Sequence, residues 1–358
     1  MGIHCQINLF KPSDGAYLTG STVSGIIKYG VDQETIFDKI TVSLKGSGNL
    51  ILHDKRRRSN NQNYTTHRRT EDYVDIDNVI VNEKQIPHDI GMYETRFDFK
   101  LPDNIPSSLD YYHRDVKYRV KCKIVYYIRI KFERPGFLQF ANRFRKELTV
   151  ISRIKPTLLN EPIMYGQQKK LFQLFSRKNS TVNIKASVET PVIRPGGKIN
   201  LDYEVANGTN LTVKGVEIKL VELYTFTTVG GRKIKIMSDI DGTDMKTSSI
   251  KSDEKQNLNI VIVVPSDADK TTFGHSNIVS RDYFVKLTTE MPFPHIDAIL
   301  EIPMEIGDVI QEVQVQPCPC DDFEIGETPP DYDNPPPSYW EAMGEDDGTK
   351  DDEFREKS

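Results

Sequence analysis

The stretch VKYRVKCKIVYYIRIKF, residues 116–132, decides the fold class of this sequence. Its even-numbered residues are aliphatic, aromatic or cysteine, whereas six of its odd-numbered residues are lysine or arginine. Because successive side chains of a β-strand point to opposite faces, this alternation predicts one long strand with a core face and a cationic face. The core set is Val116, Tyr118, Val120, Cys122, Ile124, Tyr126, Ile128, Ile130 and Phe132, and the cations are Lys117, Arg119, Lys121, Lys123, Arg129 and Lys131.

The cationic face of this strand is a candidate binding surface. A row of like charges on one side of a sheet produces a local potential that attracts ligands of the opposite sign. We therefore expect Lys117, Arg119, Lys121 and Lys123 to lie on an exposed surface that binds acidic ligands. The alternative interpretation is a solvated sheet face that has no ligand.

The rest of the body also has the pattern of β-structure. Short runs of β-branched and aromatic residues are separated by Gly, Pro, Asn and Asp clusters, as in the alternating Ile40, Val42 and Leu44. No long segment has a helical period. Closely spaced strands with turn signals favour β-sandwiches over α/β units, so the predicted fold class is all-β.

Two β-rich blocks and a tail divide the chain. Pro156 and Pro162 make a continuous strand unfavourable between the blocks, and a basic stretch follows them. From Val313 the sequence loses aliphatic periodicity and becomes rich in Pro, Asp and Glu, which predicts disorder. The predicted organisation is a first domain at 1–152, a linker at 153–180, a second domain at 181–308 and a disordered acidic tail at 309–358.

Composition indicates a cytoplasmic protein. No apolar run approaches the ~20 residues needed to span a bilayer, and the first residues lack the basic and apolar regions of a signal peptide. Four cysteines in 358 residues do not form a disulfide framework, so a reducing compartment fits. The net charge of −5 is uneven, because residues 318–358 contain 14 acidic and three basic residues. A mildly basic body therefore precedes an acidic tail.

Catalytic and cofactor-binding signatures are missing from the sequence. There is no glycine-rich phosphate loop or nucleophile elbow. The histidines lack zinc-ligand spacing, and Cys318-Pro-Cys320 offers only two ligands where a structural zinc site needs four. We expect no enzymatic activity, no metal and no cofactor. The basic segment 55–69 is predicted to be a polar loop rather than a nucleic-acid site, because no recognition helix or zinc module accompanies it.

Several motifs resemble the arrestin fold in their order and spacing. Gly20 suits a turn with positive φ, and Gly25 suits a close backbone approach within a strand. Together the motifs are similar to both domains of the α-arrestin (arrestin domain-containing) family, which implies two arrestin-like β-sandwich domains in tandem. The matching segments are 7–10, 16–27, 40–46, 91–102 and 105–109 in the first block, and 195–199, 205–209, 278–287 and 302–303 in the second.

The tail contains two Pro-Pro-x-Tyr motifs, seven residues apart. Consecutive prolines preset a polyproline II helix, so little ordering entropy is lost when the segment docks into an aromatic-lined groove such as that of a WW domain. The predicted WW-binding residues are Pro329, Pro330, Tyr332, Pro336, Pro337 and Tyr339.

The resemblance and the tail motifs together imply an adaptor. Such a protein recruits WW-domain HECT E3 ubiquitin ligases of the Nedd4 family to membrane receptor or transporter cargo, which promotes ubiquitination, endocytosis and sorting. It is cytoplasmic and is recruited to the plasma membrane and endosomes, where an anionic lipid surface is a further candidate partner. The alternative is a β-arrestin-like binder of phosphorylated receptors that acts without a ligase.

Overall fold

The computed structural model describes residues 2–55, 64–81, 86–135, 141–170, 181–266 and 271–309. Within these ranges the secondary structure consists of strands and turns, with no helix. The all-β prediction is confirmed, and two β-sandwiches follow each other along the chain. The predicted disordered tail lies outside the described residues from position 310 onward.

In the described part of the chain, eleven strands build the first sandwich. They are β1 (Ile3–Leu9), β2 (Ala16–Leu18), β3 (Thr22–Val31), β4 (Thr35–Phe37), β5 (Lys39–Lys55), β6 (Tyr64–Val81), β7 (Ile86–His88), β8 (Gly91–Lys100), β9 (Leu109–Arg114), β10 (Tyr118–Glu133) and β11 (Asn142–Ile151). One sheet has the order β1-β3-β8, and the other has the order β2-β11-β10-β5-β6 with β9 also paired to β10. The short strands β4 and β7 pair with each other. All pairs are antiparallel except the parallel pair of β2 and β11.

Ten strands within the described ranges build the second sandwich. They are β12 (Ile163–Lys170), β13 (Thr181–Val188), β14 (Val192–Ile193), β15 (Lys198–Gly208), β16 (Gly215–Thr227), β17 (Lys233–Asp239), β18 (Met245–Lys246), β19 (Lys255–Val263), β20 (Val279–Glu290) and β21 (Ala298–Ile306). The order β12-β13-β15-β19 forms one sheet. The order β14-β21-β20-β16-β17, with β18 paired to β16, forms the other. Strand β12 lies within the segment predicted to be a linker and begins directly after Pro162.

Strand β10 is the centre of the first core. Its core-face residues from Val120 to Phe132 are at most 1% exposed, as the alternation predicted. The predicted start at Val116 is wrong, because the strand begins at Tyr118 and Val116 is 75% exposed in the preceding turn. The physical reason is Asp115, whose carboxylate accepts hydrogen bonds from the backbone N–H groups of Lys117 and Tyr118 and thereby fixes a turn.

The loop predicted for residues 55–69 is also partly wrong. Residues 56–63 lie outside the described residues, but Tyr64 begins β6, which pairs with β5 over its whole length. His53, for example, lies opposite Thr66. The polar composition that suggested a loop belongs to an edge strand, where polar side chains face water.

Aromatic and polar contacts join the two sandwiches. The ring of Tyr111 lies 4.4 Å from Tyr224 and 5.1 Å from Phe226, centroid to centroid. Beside this stack, the carboxylate of Glu71 accepts hydrogen bonds from Ser276 Oγ and from the backbone N–H of Asn277, both at 2.9 Å. The first core therefore continues into side chains of the second sandwich.

Candidate functional site

The candidate site is the hairpin that β9 and β10 form at the cationic end of the sheet. In the turn, Asp115 Oδ1 lies 2.6 Å from each of the backbone nitrogens of Lys117 and Tyr118, and its own N–H donates to the Tyr118 carbonyl at 2.9 Å. Desolvation opposes ionisation of Asp115, but the two backbone N–H donors together with His113 outweigh it and lower the pKa of the carboxyl. An ionised Asp115 therefore fixes the backbone that presents Lys117.

The strand register places three basic side chains next to one another. Arg119 lies directly opposite Arg114 of β9 on one side and His53 of β5 on the other. With Lys117 these residues line an open cleft of about 740 Å³. Asp115 lines it as well; its Oδ1 accepts the two hydrogen bonds of the turn, and its Oδ2 lies 3.6 Å from His113 Nε2.

Like charges directly opposite each other on antiparallel strands are unfavourable. Arg114 and Arg119 are such a pair, and both side chains are exposed, so water screens their repulsion. The guanidinium carbon of Arg119 lies 5.6 Å from the centre of the Tyr112 ring. An anion bound between the two arginines would replace this repulsion by attraction, which suits the cleft chemically to a carboxylate or phosphate group.

Of the other predicted cations, Lys121 continues the cationic row beside the cleft, whereas Lys123 and Lys131 have carboxylate partners. Lys121 is exposed opposite Tyr112, two residue pairs further along the sheet than Arg119 and on the same face. Lys123 Nζ lies 3.8 Å from Asp110, so a carboxylate already balances its charge. Near the far end of β10, Lys131 forms an ion pair with Glu133.

Arg114 and His53 are cleft residues that the sequence interpretation missed. A signal for Arg114 existed, since Leu109–Arg114 alternates and could have been paired with β10 as a hairpin. No local signal existed for Arg232 of the second sandwich. Its guanidinium forms an ion pair with Asp54 and lies 5.9 Å from the centre of the Tyr118 ring.

The described ranges contain neither a candidate metal centre nor a candidate membrane-spanning helix. No group of three or more His, Cys, Asp or Glu side chains in them could hold a metal ion. The same ranges contain no helix long and apolar enough to cross a membrane. The predicted WW-binding residues, from Pro329 to Tyr339, lie outside the described part of the chain.

Comparison with known proteins identifies both sandwiches. The family model "Arrestin (or S-antigen), N-terminal domain" matches residues 5–156, and the model "Arrestin (or S-antigen), C-terminal domain" matches residues 178–311. The chain is also similar to arrestin domain-containing protein 17 of Caenorhabditis elegans, with 22% identity over 322 residues, covering 86% of this chain and 71% of the relative. With an arrestin N-terminal and an arrestin C-terminal domain in tandem, the chain belongs to the arrestin-domain family and resembles its α-arrestin branch.

Proposed function

We propose that this arrestin-domain protein is a cytoplasmic adaptor that brings WW-domain HECT ubiquitin ligases to membrane receptor or transporter cargo. Family membership supports an arrestin-like adaptor role in general. The observation that carries the more specific proposal is the pair of Pro-Pro-x-Tyr motifs that follows the two arrestin domains.

The spacing of the two motifs suits linked or rebinding WW modules. Tyr332 and Tyr339 are seven residues apart, which is about 22 Å in a polyproline II conformation at ~3.1 Å per residue. A module of roughly 35 residues has a radius of gyration near ~8.5 Å, so two modules fit side by side with little clearance. A single module can also rebind between neighbouring sites, which raises the effective affinity. The acidic tail around the motifs would increase the association rate with a basic WW surface.

The cleft at the β9–β10 hairpin supplies a surface for acidic groups. In this proposal Arg114, Lys117 and Arg119 bind acidic groups of the cargo, and the tail binds the ligase. The two activities lie on separate parts of the chain, so each can be removed without the other.

The ligase half of the proposal is tested by titrating purified WW domains against the full-length chain. Tyr339→Ala should weaken binding partially, and the double variant Tyr332→Ala/Tyr339→Ala should abolish it. Phe323→Ala is the matched control, because it removes an aromatic residue of the same acidic tail outside both motifs. If the double variant binds as tightly as the parent chain, ligase recruitment through these motifs is wrong.

A second candidate function is a β-arrestin-like binder of phosphorylated receptors that acts without a ligase. The cationic cleft is the observation that favours it. The full-length Tyr332→Ala/Tyr339→Ala variant separates the two functions. If it still drives internalisation of a phosphorylated receptor at the parental rate, the second candidate replaces the first.

A further inference from the structure

Strand β19 is a sheet edge without the usual protection against strand addition. Among the described residues its only strand neighbour is β15. The eight residues 256–263, QNLNIVIV, contain no charge, proline or glycine, and Val261 and Val263 are 44% and 57% exposed. Natural edge strands are normally protected from pairing by charged residues or proline, as β6 is by Asp75 and Asp77. An uncharged β-branched edge is therefore open to pairing.

The backbone hydrogen bonds between β19 and β15 define which N–H and C=O groups of β19 remain for pairing with another strand. At one end, the Val264 N–H donates to the Gly197 carbonyl at 2.9 Å, and at the other end the Asn207 N–H donates to the Glu254 carbonyl at 2.9 Å. In an antiparallel ladder such bonded pairs recur at every second residue. The backbone N–H and C=O groups of the even-numbered residues of β19 therefore point to β15. The free edge presents the N–H and C=O groups of Asn257, Asn259, Val261 and Val263.

Both faces beside this edge can receive side chains of an added strand. On the core side Leu258 is 38% exposed, although it continues a row of buried residues. On the outer side an open cleft of about 550 Å³ is lined by Asp202 and Asn259 among others. Asp202 accepts a hydrogen bond from Asn259 Nδ2 at 2.7 Å, and within the described residues no Lys or Arg forms an ion pair with it.

We propose that β19 is an acceptor strand, to which an extended segment of a partner protein adds by main-chain hydrogen bonds. Strand addition takes its affinity from the backbone and its specificity from alternate side chains. Apolar residues of the segment would cover Leu258 on the core side. On the outer side, a lysine or arginine would reach across Asn259 to Asp202. The partner segment is therefore extended and β-branched, with a basic residue at an outward position.

The test uses two synthetic eight-residue peptides, acetylated and amidated. One has the sequence Thr-Val-Arg-Val-Arg-Val-Thr-Val, and the other has threonine in place of both arginines. Binding to the full-length chain is measured by fluorescence anisotropy and by amide hydrogen exchange. We expect slower exchange at Asn257, Asn259, Val261 and Val263, and unchanged exchange in the other edge strands. Protection elsewhere, or none at saturating peptide, overturns the proposal.

Two variants make the test specific. Val261→Pro removes an N–H that points to the free edge, where proline is tolerated, so the fold is kept and peptide binding should be lost. Val261→Thr is the matched control, because it retains both the N–H and the β-propensity. Asp202→Asn should lower the affinity for the arginine peptide by about threefold, which corresponds to the loss of one exposed ion pair. The affinity for the threonine peptide should not change. Glu301→Asn, on the other sheet, controls for the loss of one negative charge.

Two further outcomes contradict the proposal. Equal peptide binding by Val261→Pro and the parent chain would show that the backbone edge is not the site. If the parent chain is a dimer in analytical ultracentrifugation and Val261→Pro is a monomer, the β19 edge pairs with a second copy of this chain instead of a partner protein. Neither outcome involves the tail, so this test and the WW-domain titration can fail independently.

Discussion

Reversing the charge of Arg119 should impair anion binding without destabilising the fold. Arg119→Glu places a carboxylate directly opposite Arg114 and so converts an unfavourable cross-strand pair into a favourable one. Because both side chains are exposed, the gain in unfolding free energy is at most a few tenths of a kcal/mol. For most charge reversals in a binding site, loss of binding could be attributed to loss of structure. Here the thermal midpoint should stay the same or rise slightly.

The effect on binding can be estimated from the number of cations involved. Removing one exposed charge contact costs about 0.2–1 kcal/mol, so reversing Lys117, Arg119 and Lys121 together should cost roughly 0.6–3 kcal/mol. That corresponds to a decrease in affinity of about 3- to 150-fold. Lowering the ionic strength from 0.15 M to 0.01 M lengthens the screening distance from about 8 Å to 30 Å, so the difference should grow at low salt.

The assay titrates the full-length protein with a doubly phosphorylated serine peptide and, separately, with vesicles that contain phosphatidylserine. The two arms distinguish a phosphoprotein from a lipid surface as the source of the anion. Lys131→Glu is the charge-matched control, because the ammonium group of Lys131 is already paired with Glu133 on the same strand. If the triple variant binds both probes as tightly as the parent chain at low salt, the cleft has no role in recognising anions.

Three further predictions concern the scaffold around the site. Glu71→Ala should lower the unfolding free energy by about 0.5–1.5 kcal/mol in chemical denaturation, because it removes hydrogen bonds to exposed donors of Asn277 at the junction of the sandwiches, where water replaces part of the lost interaction. Gly46→Ala should cost about 1–3 kcal/mol in the same assay, since the new Cβ would overlap the ring of the buried Tyr126. Burial raises the pKa of Cys122 from 9.0 to about 12, so the folded thiol should resist iodoacetamide at pH 8 and unfolding free energy should fall between pH 9 and 12 as the unfolded thiol ionises.

Local alternation was sufficient to predict the central strand and its core face. Val120 and Ile130 are buried as the two-residue period requires, because burial of one face leaves little freedom in strand register. The same reasoning misplaced Val116, since the hydrogen bonds of one aspartate ended the strand earlier than the pattern did. It also missed the beginning of β6, where an edge strand and a polar loop have the same composition.

The candidate site was only half predictable, because it depends on strand pairing. Lys117 and Arg119 follow from the pattern within one strand, whereas Arg114 and His53 join them only through the register of β9 and β5. A single sequence contains the period of each strand but not the pairing of strands distant along the chain. The contribution of Arg232 is still harder to predict from the sequence, because this residue comes from the other sandwich.

The position of Arg232 makes the cleft at the β9–β10 hairpin a feature of both domains. Its guanidinium pairs with Asp54 and packs over Tyr118, which lines the cleft beside Lys117. One side of the cleft is therefore supported by a side chain of the second sandwich. A ligand in the cleft and a change at the domain junction would affect the same contacts, and thermodynamic coupling between them would be reciprocal. The cleft therefore depends on a contact between the two sandwiches, although the cationic strand that carries it belongs to only one of them.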